Sequence, residues 1–266
     1  MKICLQFLSD IHLENHKQEV NILNFLKPSA TYLAILGDLG YPNHENYKEF
    51  LRQASALFEK VFLVSGNHEY YITQYKEFNT MDDVNKLIQE ICTNFPNIFY
   101  LNNKEYILDD DIIILGTTLW SNIPEEYSAH VALMLNDYNY IYKNHNNEKL
   151  NIDTNDVTKL FNTNLEWLSE NLNYYKNKKI IILSHHLPSF QLIHRMYVGN
   201  VINYGFASNL DYFMKEKNNI KYWLCGHTHF CMEAKINECF CITNPLGYRG
   251  SHNRNYNKEK IITINN

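Results

Sequence analysis

The sequence predicts an α/β fold, and three observations carry that expectation. Six short runs rich in Ile, Leu and Val end abruptly on polar residues or glycine, the pattern of buried strands. Stretches with helical apolar spacing separate several of these runs. Nearly every Asp-His, Asn-His and His-His cluster follows directly on an apolar run, at the carboxyl ends of strands where ligands of α/β sheets collect.

In chain order, KICLQFLS ends on Asp10, Ile11 and His12, and ATYLAIL ends on Gly37 and Asp38. KVFLVS runs into Gly66, Asn67, His68 and Glu69, and DIIIL into Gly116, Thr117 and Thr118. KKIIIL ends on Ser184, His185 and His186, and IKYWLC on Gly226, His227, Thr228 and His229. The glycines at 37, 66 and 226 suit tight turns after each strand. Helices are expected over 43–59, over 80–93 with Thr80, Asp82 and Asp83 as candidate caps, and over 153–175. Residues 230–244 read as a hairpin turning at Ile236, Asn237 and Glu238. Residues 121–150 and 188–215 lack the strand pattern and are expected as cap-like insertions near the same edge. With no linker or repeat, residues 1–266 read as one domain.

The chain has 266 residues and a formal net charge of −5, which argues against a general electrostatic grip on nucleic acid. No apolar run approaches a membrane span, and the first ten residues read as a strand rather than a secretory signal. The six cysteines form no CxxC pair, so reduced thiols in a cytoplasmic protein are expected, with a zinc site at Cys239 and Cys241 as the alternative. A small substrate is the expected partner, with nucleic acid disfavoured and no membrane.

The polar strand ends gather Asp10, His12, Asp38, Asn67, His68, His185, His227 and His229. Singly, each reads as well as a cap, a turn or a surface polar residue. Together, carboxylates and imidazoles suit Mn, Fe or Zn better than Mg or Ca, and the set is too large for one ion. Alternation along an extended segment would put the rings of His227 and His229 on one side and Thr228 on the other.

The ordered motifs D-x-H, G-D, G-N-H-E, H-H and G-H-x-H, spanning residues 10 to 229, resemble those of the calcineurin-like metallophosphoesterases. The resemblance implies a four-layer α/β/β/α sandwich of two mixed sheets. It implies that Asp10, His12, Asp38 and His229 hold one metal ion, that Asp38 bridges, and that Asn67, His185 and His227 hold a second. The ions would be divalent or trivalent transition metals, Mn or Fe with Zn as the alternative, with a bridging hydroxide as nucleophile and His68 as the acid facing the leaving group. His186 and Arg249 are candidate substrate-binding residues, and Glu14 and Glu69 candidate supports for the ligands. Trp120, Tyr70, Tyr204 and Tyr248 either line the pocket or simply pack. His16, His44, His130, His145, His194 and His252 lie off the motifs and are expected to be solvated.

The stretch GDLGYPN departs from the protein phosphatase pattern, because Tyr41 stands where a second Asp would be and no Arg follows. The departure weakens a Ser/Thr protein phosphatase reading and leaves the partner of His68 open. Stretches such as LGTTLWS, SHHLPS and NPLGYRG resemble a mostly microbial and viral branch of the superfamily. The expected activity is that of a phosphodiesterase on a small or nucleotide-like ester. The alternatives are a phosphomonoesterase and a non-catalytic metal-binding scaffold.

Overall fold

The structure is a computed structural model and describes residues 2–265 apart from 17, 79 and 147. The first half of the chain runs β1 (Lys2–Leu8), β2 (Tyr32–Leu36), α1 (Glu45–Leu57), β3 (Lys60–Val64), α2 (Met81–Thr93), β4 (Ile98–Tyr100), β5 (Lys104–Ile107) and β6 (Ile112–Gly116). There follow α3 (Glu125–Met134), α4 (Asp137–Tyr140), a small hairpin of β7 (Tyr142–His145) and β8 (Glu148–Asn151), then α5 (Thr154–Tyr174) and β9 (Lys179–Leu183). The chain closes with α6 (Asp211–Glu216), β10 (Ile220–Cys225), β11 (Glu233–Ile236), β12 (Cys239–Thr243) and β13 (Ile261–Asn265).

Two mixed sheets result, in the orders β13-β1-β2-β3-β4 and β11-β12-β10-β9-β6-β5. In the first, β1 to β4 are parallel and β13 pairs antiparallel with β1. In the second, β12, β10, β9 and β6 are parallel, and antiparallel β11 and β5 form the edges.

The apolar runs are continuous because each strand is covered on both faces. Alternate residues divide between two cores. Ile3, Leu5 and Phe7, Ala34 and Leu36, and Phe62 and Val64 share one apolar cluster with Ile112 and Ile114, Ile181 and Leu183, and Leu224. That cluster joins the two sheets face to face. The intervening Leu33, Ile35, Val61, Leu63, Ile113, Leu115, Ile180, Ile182 and Trp223 pack outward with Phe50, Leu51 and Ala54 of α1, Ile88 of α2 and Leu168 of α5. Period-two alternation therefore produces the four layers: helices, sheet, sheet, helices.

Local signals fix the helix starts. Thr80 and Asp83 form a reciprocal capping box at α2, and Asp153 and Asp156 form another at α5, each satisfying backbone N–H groups that the first turn leaves open. The hairpin of β11 and β12 turns over the expected residues, with Asn237 at φ 53°. The short strands β4 and β5, the β7–β8 hairpin and the edge strand β13 were not expected. They are brief or largely exposed, and lack the unbroken apolar run of the central strands.

The six cysteines are free. Cys239 and Cys241 lie with their sulfurs 3.8 Å apart, and Cys241 contacts the sulfur of Met214 at 3.4 Å. Among the described residues no cluster of potential metal ligands includes a cysteine, so the alternative zinc site is not formed. Among the described residues no helix is long and apolar enough to cross a membrane.

Candidate metal centre

Parallel strands deliver their carboxyl ends to one edge, and β1, β2, β3, β9 and β10 all end there. Immediately beyond them the backbone takes an uncommon form. Asp10 (φ 55°), His12 (φ 53°), Asp38 (φ 51°), His227 (φ 74°) and His229 (φ 56°) are all left-handed. Such backbone is uncommon for non-glycine residues and collects at functional sites. Gly66 serves close approach rather than a turn, since a Cβ there would lie 2.1 Å from Asp38 Oδ1.

These ends bring three overlapping sets of donors together. Asp10, His12 and His229 form the first, Asp38, His185 and His227 the second, and His12, Asp38 and His68 overlap both, with the donor atoms of each set within 4.8 Å of one another. In the first, His12 Nε2 lies 3.0 Å from His229 Nε2, and His229 Nε2 lies 3.3 Å from Asp10 Oδ1. In the second, His185 Nε2 lies 3.2 Å from His227 Nδ1 and 3.1 Å from Asn67 Oδ1. Asp38 Oδ2 stands between the groups, 3.9 Å from His12 Nε2 and 3.4 Å from His185 Nε2. Asp38 Oδ1 accepts the backbone N–H of His68 at 2.9 Å.

The far sides of three of the four candidate rings face an acceptor, the arrangement that orients metal-binding histidines. His185 Nδ1 donates to the Leu36 carbonyl at 2.8 Å, and His12 Nδ1 to Glu14 Oε1 at 3.0 Å. His227 Nε2 faces the Gly205 carbonyl at 3.4 Å. Asn67 donates its amide to Asp137 Oδ1 at 2.7 Å, which turns its carbonyl oxygen toward His185. Glu69 accepts three backbone N–H groups, from Gly66, Asp38 and Leu39, and so fastens the loops after β2 and β3 together.

Electrostatics fit cations. Burial alone would raise Asp38, but the His185 and His68 rings hold it well below the usual carboxylate range. Burial would lower His185, yet Asp38 lifts it to about 10. Burial, with the neighbouring His186 and His185 rings, pushes His227 far down, so that it stays neutral. Two carboxylates, four imidazoles and an amide oxygen converge at this edge, and this donor set fits Mn, Fe or Zn.

A family profile described as calcineurin-like phosphoesterase matches residues 6–231. The chain belongs to the calcineurin-like phosphoesterases. Membership of this metal-dependent family supports a phosphoester hydrolase, and the clustered ligands accord with it. An uncharacterised protein of Acanthamoeba polyphaga mimivirus is 37% identical, over 98% of this chain and 96% of its own. The phosphopantetheinyl hydrolase of Mycobacterium tuberculosis shares the fold at a TM-score of 0.68 and 14% identity, covering 93% of this chain and 90% of that one. A Thermus thermophilus protein does so at 0.54 and 12%, covering 100% and 99%.

Around this calcineurin-like site the structure also supplies what the motifs left open. His68, the family's Asn-His histidine, has a partner. Its Nδ1 lies 3.2 Å from Glu14 Oε1, the same oxygen that receives His12. Burial alone would lower His68, but Asp38 and Glu14 raise it to about 9. Its ring stacks on Tyr71 at 4.2 Å, and Nε2 faces the Tyr248 hydroxyl at 3.1 Å. The D-x-H-x-E spacing was the available signal for Glu14, two residues past a ligand. Asp137 lies in LNDYNYI, one of the stretches that resemble the microbial and viral branch, but its distance from the motifs hid its contact with Asn67.

Other residues singled out in the sequence take varied positions. His186 lines neither recess at the site. It is buried, packed against Trp120 and His227, with its backbone N–H bonded to the Thr118 carbonyl, and burial with neighbouring His185 pushes it down to about 3. His227 and His229 are not on an extended segment. Their left-handed backbone, not strand alternation, sends one ring toward His185 and the other toward Asp10 and His12. Thr228 does not turn away from the site but lines the cavity beside it. Tyr70 and Trp120 are buried packing residues, whereas Tyr248 lines the site. His194, expected to be solvated, also lines the cavity and stacks on Phe230. Arg249 is exposed and borders a shallow cleft with Glu14, His68 and Tyr248.

Proposed function

We propose that this chain is a two-metal phosphodiester hydrolase acting on a small ester. Asp10, His12, Asp38 and His229 hold one ion, and Asp38, Asn67, His185 and His227 hold the other. One observation supports this reading above others: Asp38 Oδ2 stands between two complete donor groups, with His68 anchored to the same carboxylate. Metal held by these residues would supply charge neutralisation at the phosphoryl oxygens and a nucleophile at neutral pH. Its identity is proposed as Mn or Fe, with Zn the alternative.

The chain's own residues do the rest. Glu14 accepts the Nδ1 proton of His68, which fixes the ring and leaves Nε2 pointing at the Tyr248 hydroxyl. His68 Nε2 then gives its proton to the departing oxygen of the ester. Asn67 contributes an uncharged oxygen, held in place by Asp137. Two recesses meet at His68 and Tyr248, one of about 530 Å³ and one of about 390 Å³. A diester has two substituents to place, and a monoester has one. Arg249 borders the smaller recess and would steady a polar substituent there.

The test is turnover of Mn-loaded protein on bis-p-nitrophenyl phosphate and p-nitrophenyl phosphate, with a chelator control. Faster, chelator-sensitive cleavage of the diester is expected. Faster monoester cleavage would replace this reading with a phosphomonoesterase. Loss of both activities in a metal-replete protein would leave a metal-binding scaffold.

A further inference from the structure

We infer that the larger recess is a subsite for an uncharged, largely apolar substituent of the ester, which makes a nucleotide a poor fit there; this rests on the diesterase reading. Its floor is the metal-centre edge, through Asp38, Asn67, His227 and His229. Its walls come from the two inserted segments, through Leu135, Ile193, Ile202 and Phe206, with Phe230 beyond His229. Among the described residues no Lys or Arg lines it. The one carboxylate in the walls, Asp137, is already bonded to Asn67 and Tyr71.

Two of the amides in the walls are partly spent on the chain itself, while Asn136 and His194 add polar groups at the rim. Asn203 donates to the Tyr197 carbonyl at 2.7 Å, and Asn200 accepts the Ile202 N–H at 3.1 Å. The apolar character continues to the mouth, where Met134 is 57% exposed and Tyr197 41%. A second phosphate or a carboxylate placed against these walls, away from the floor and His68, would leave water without meeting a Lys or Arg, which is costly. An alkyl or aryl group would instead displace water from apolar walls. The volume lies within the range that encloses drug-sized ligands.

The experiment compares p-nitrophenyl diesters whose second substituent is methyl, hexyl or 5-carboxypentyl, on Mn-loaded wild type and Ile202→Lys. In wild type, kcat/KM for the hexyl diester should exceed that for the carboxypentyl diester by about tenfold or more, the scale on which apolar pockets discriminate. Ile202→Lys should collapse or invert that ratio. Equal ratios in both proteins, or a wild-type preference for the carboxylate, would overturn the subsite while leaving diester hydrolysis intact. Absence of chelator-sensitive turnover on every diester would instead defeat the diesterase reading. Calorimetric titration of hexyl and 5-carboxypentyl phosphate into both proteins then reads the subsite without catalysis. The same preference and its loss in Ile202→Lys are expected, and equal affinities would overturn it.

Discussion

Glu14 is the residue whose removal tests the site most sharply. One of its oxygens receives both His12 Nδ1, at 3.0 Å, and His68 Nδ1, at 3.2 Å. Its side chain is 8% exposed, and its other oxygen has no partner in the protein. Burial would raise this carboxylate, but the two rings overcome that and hold it down to about 2. Glu14→Ala leaves two ring N–H groups without an acceptor in a site that water reaches poorly. A hydrogen bond to a charged group contributes about 1.5–3 kcal/mol. Lost at His68, that is roughly a ten- to hundredfold fall in kcat at saturating metal. Lost at His12, it weakens the first metal by about 10–100-fold, the usual effect of removing a partner behind a ligand. Glu14→Gln keeps an oxygen acceptor and should recover part of both losses. Metal affinity by chelator competition and kcat at saturating Mn separate the two roles. A folded Glu14→Ala protein with unchanged metal affinity and unchanged kcat would refute the shared anchor.

Further outcomes follow from the same geometry. His68→Ala should retain both metals by elemental analysis while diester turnover falls about 10²–10⁴-fold, the range of a lost general acid. Asp137→Ala frees the Asn67 amide and the Tyr71 hydroxyl, so metal content should drop toward one ion per chain with the His12 site kept. Gly66→Ala sets a Cβ 2.1 Å from Asp38 Oδ1; it should cost about 1–3 kcal/mol in denaturant unfolding and disturb the bridging carboxylate. Stripping metal held at a hundredfold over its Kd removes about 2.7 kcal/mol, and calorimetry should show Tm falling by about 5–10 °C.

The central strands were legible because their runs are covered on both faces, so nearly every residue had to be apolar, with the buried, hydrogen-bonded Gln6 of β1 the exception. The edge strand β13 is not: Ile261 and Asn265 are exposed while Ile262 and Ile264 are buried, and five residues of alternation after a loop carry little signal. The ligand types were legible because carboxylate, imidazole and amide donors recur at strand ends in a fixed order. Which group backs each ligand was not. Asp137 reaches Asn67 from a segment 70 positions away, and Gly205 reaches His227 from another insertion. Tertiary placement alone decides such partners. His186 shows the same limit: the sequence placed it beside His185, but only the fold shows that its ring is buried between Trp120 and His227.

The left-handed residues explain why the motif spacing is so tight. Each such non-glycine position costs about 1–2 kcal/mol, and five occur among the proposed ligands. A chain would not hold them without compensation nearby. Part of it comes from the backbone: His12 N–H bonds to the Asp38 carbonyl, and Asp10 N–H to Gly37. Both carboxylate oxygens of Asp10 take the His227 N–H, at 3.1 and 3.0 Å. Glu69 adds three more backbone bonds across the loops after β2 and β3, while burial and nearby Asp38 still push it up to about 7. The strain is thus shared among residues that are themselves ligands or touch them, so the loops hold their shape only as a set. Metal held by Asp38 would offset the negative charge that, after burial, raises Glu69, so metal binding and loop rigidity would become one equilibrium rather than two.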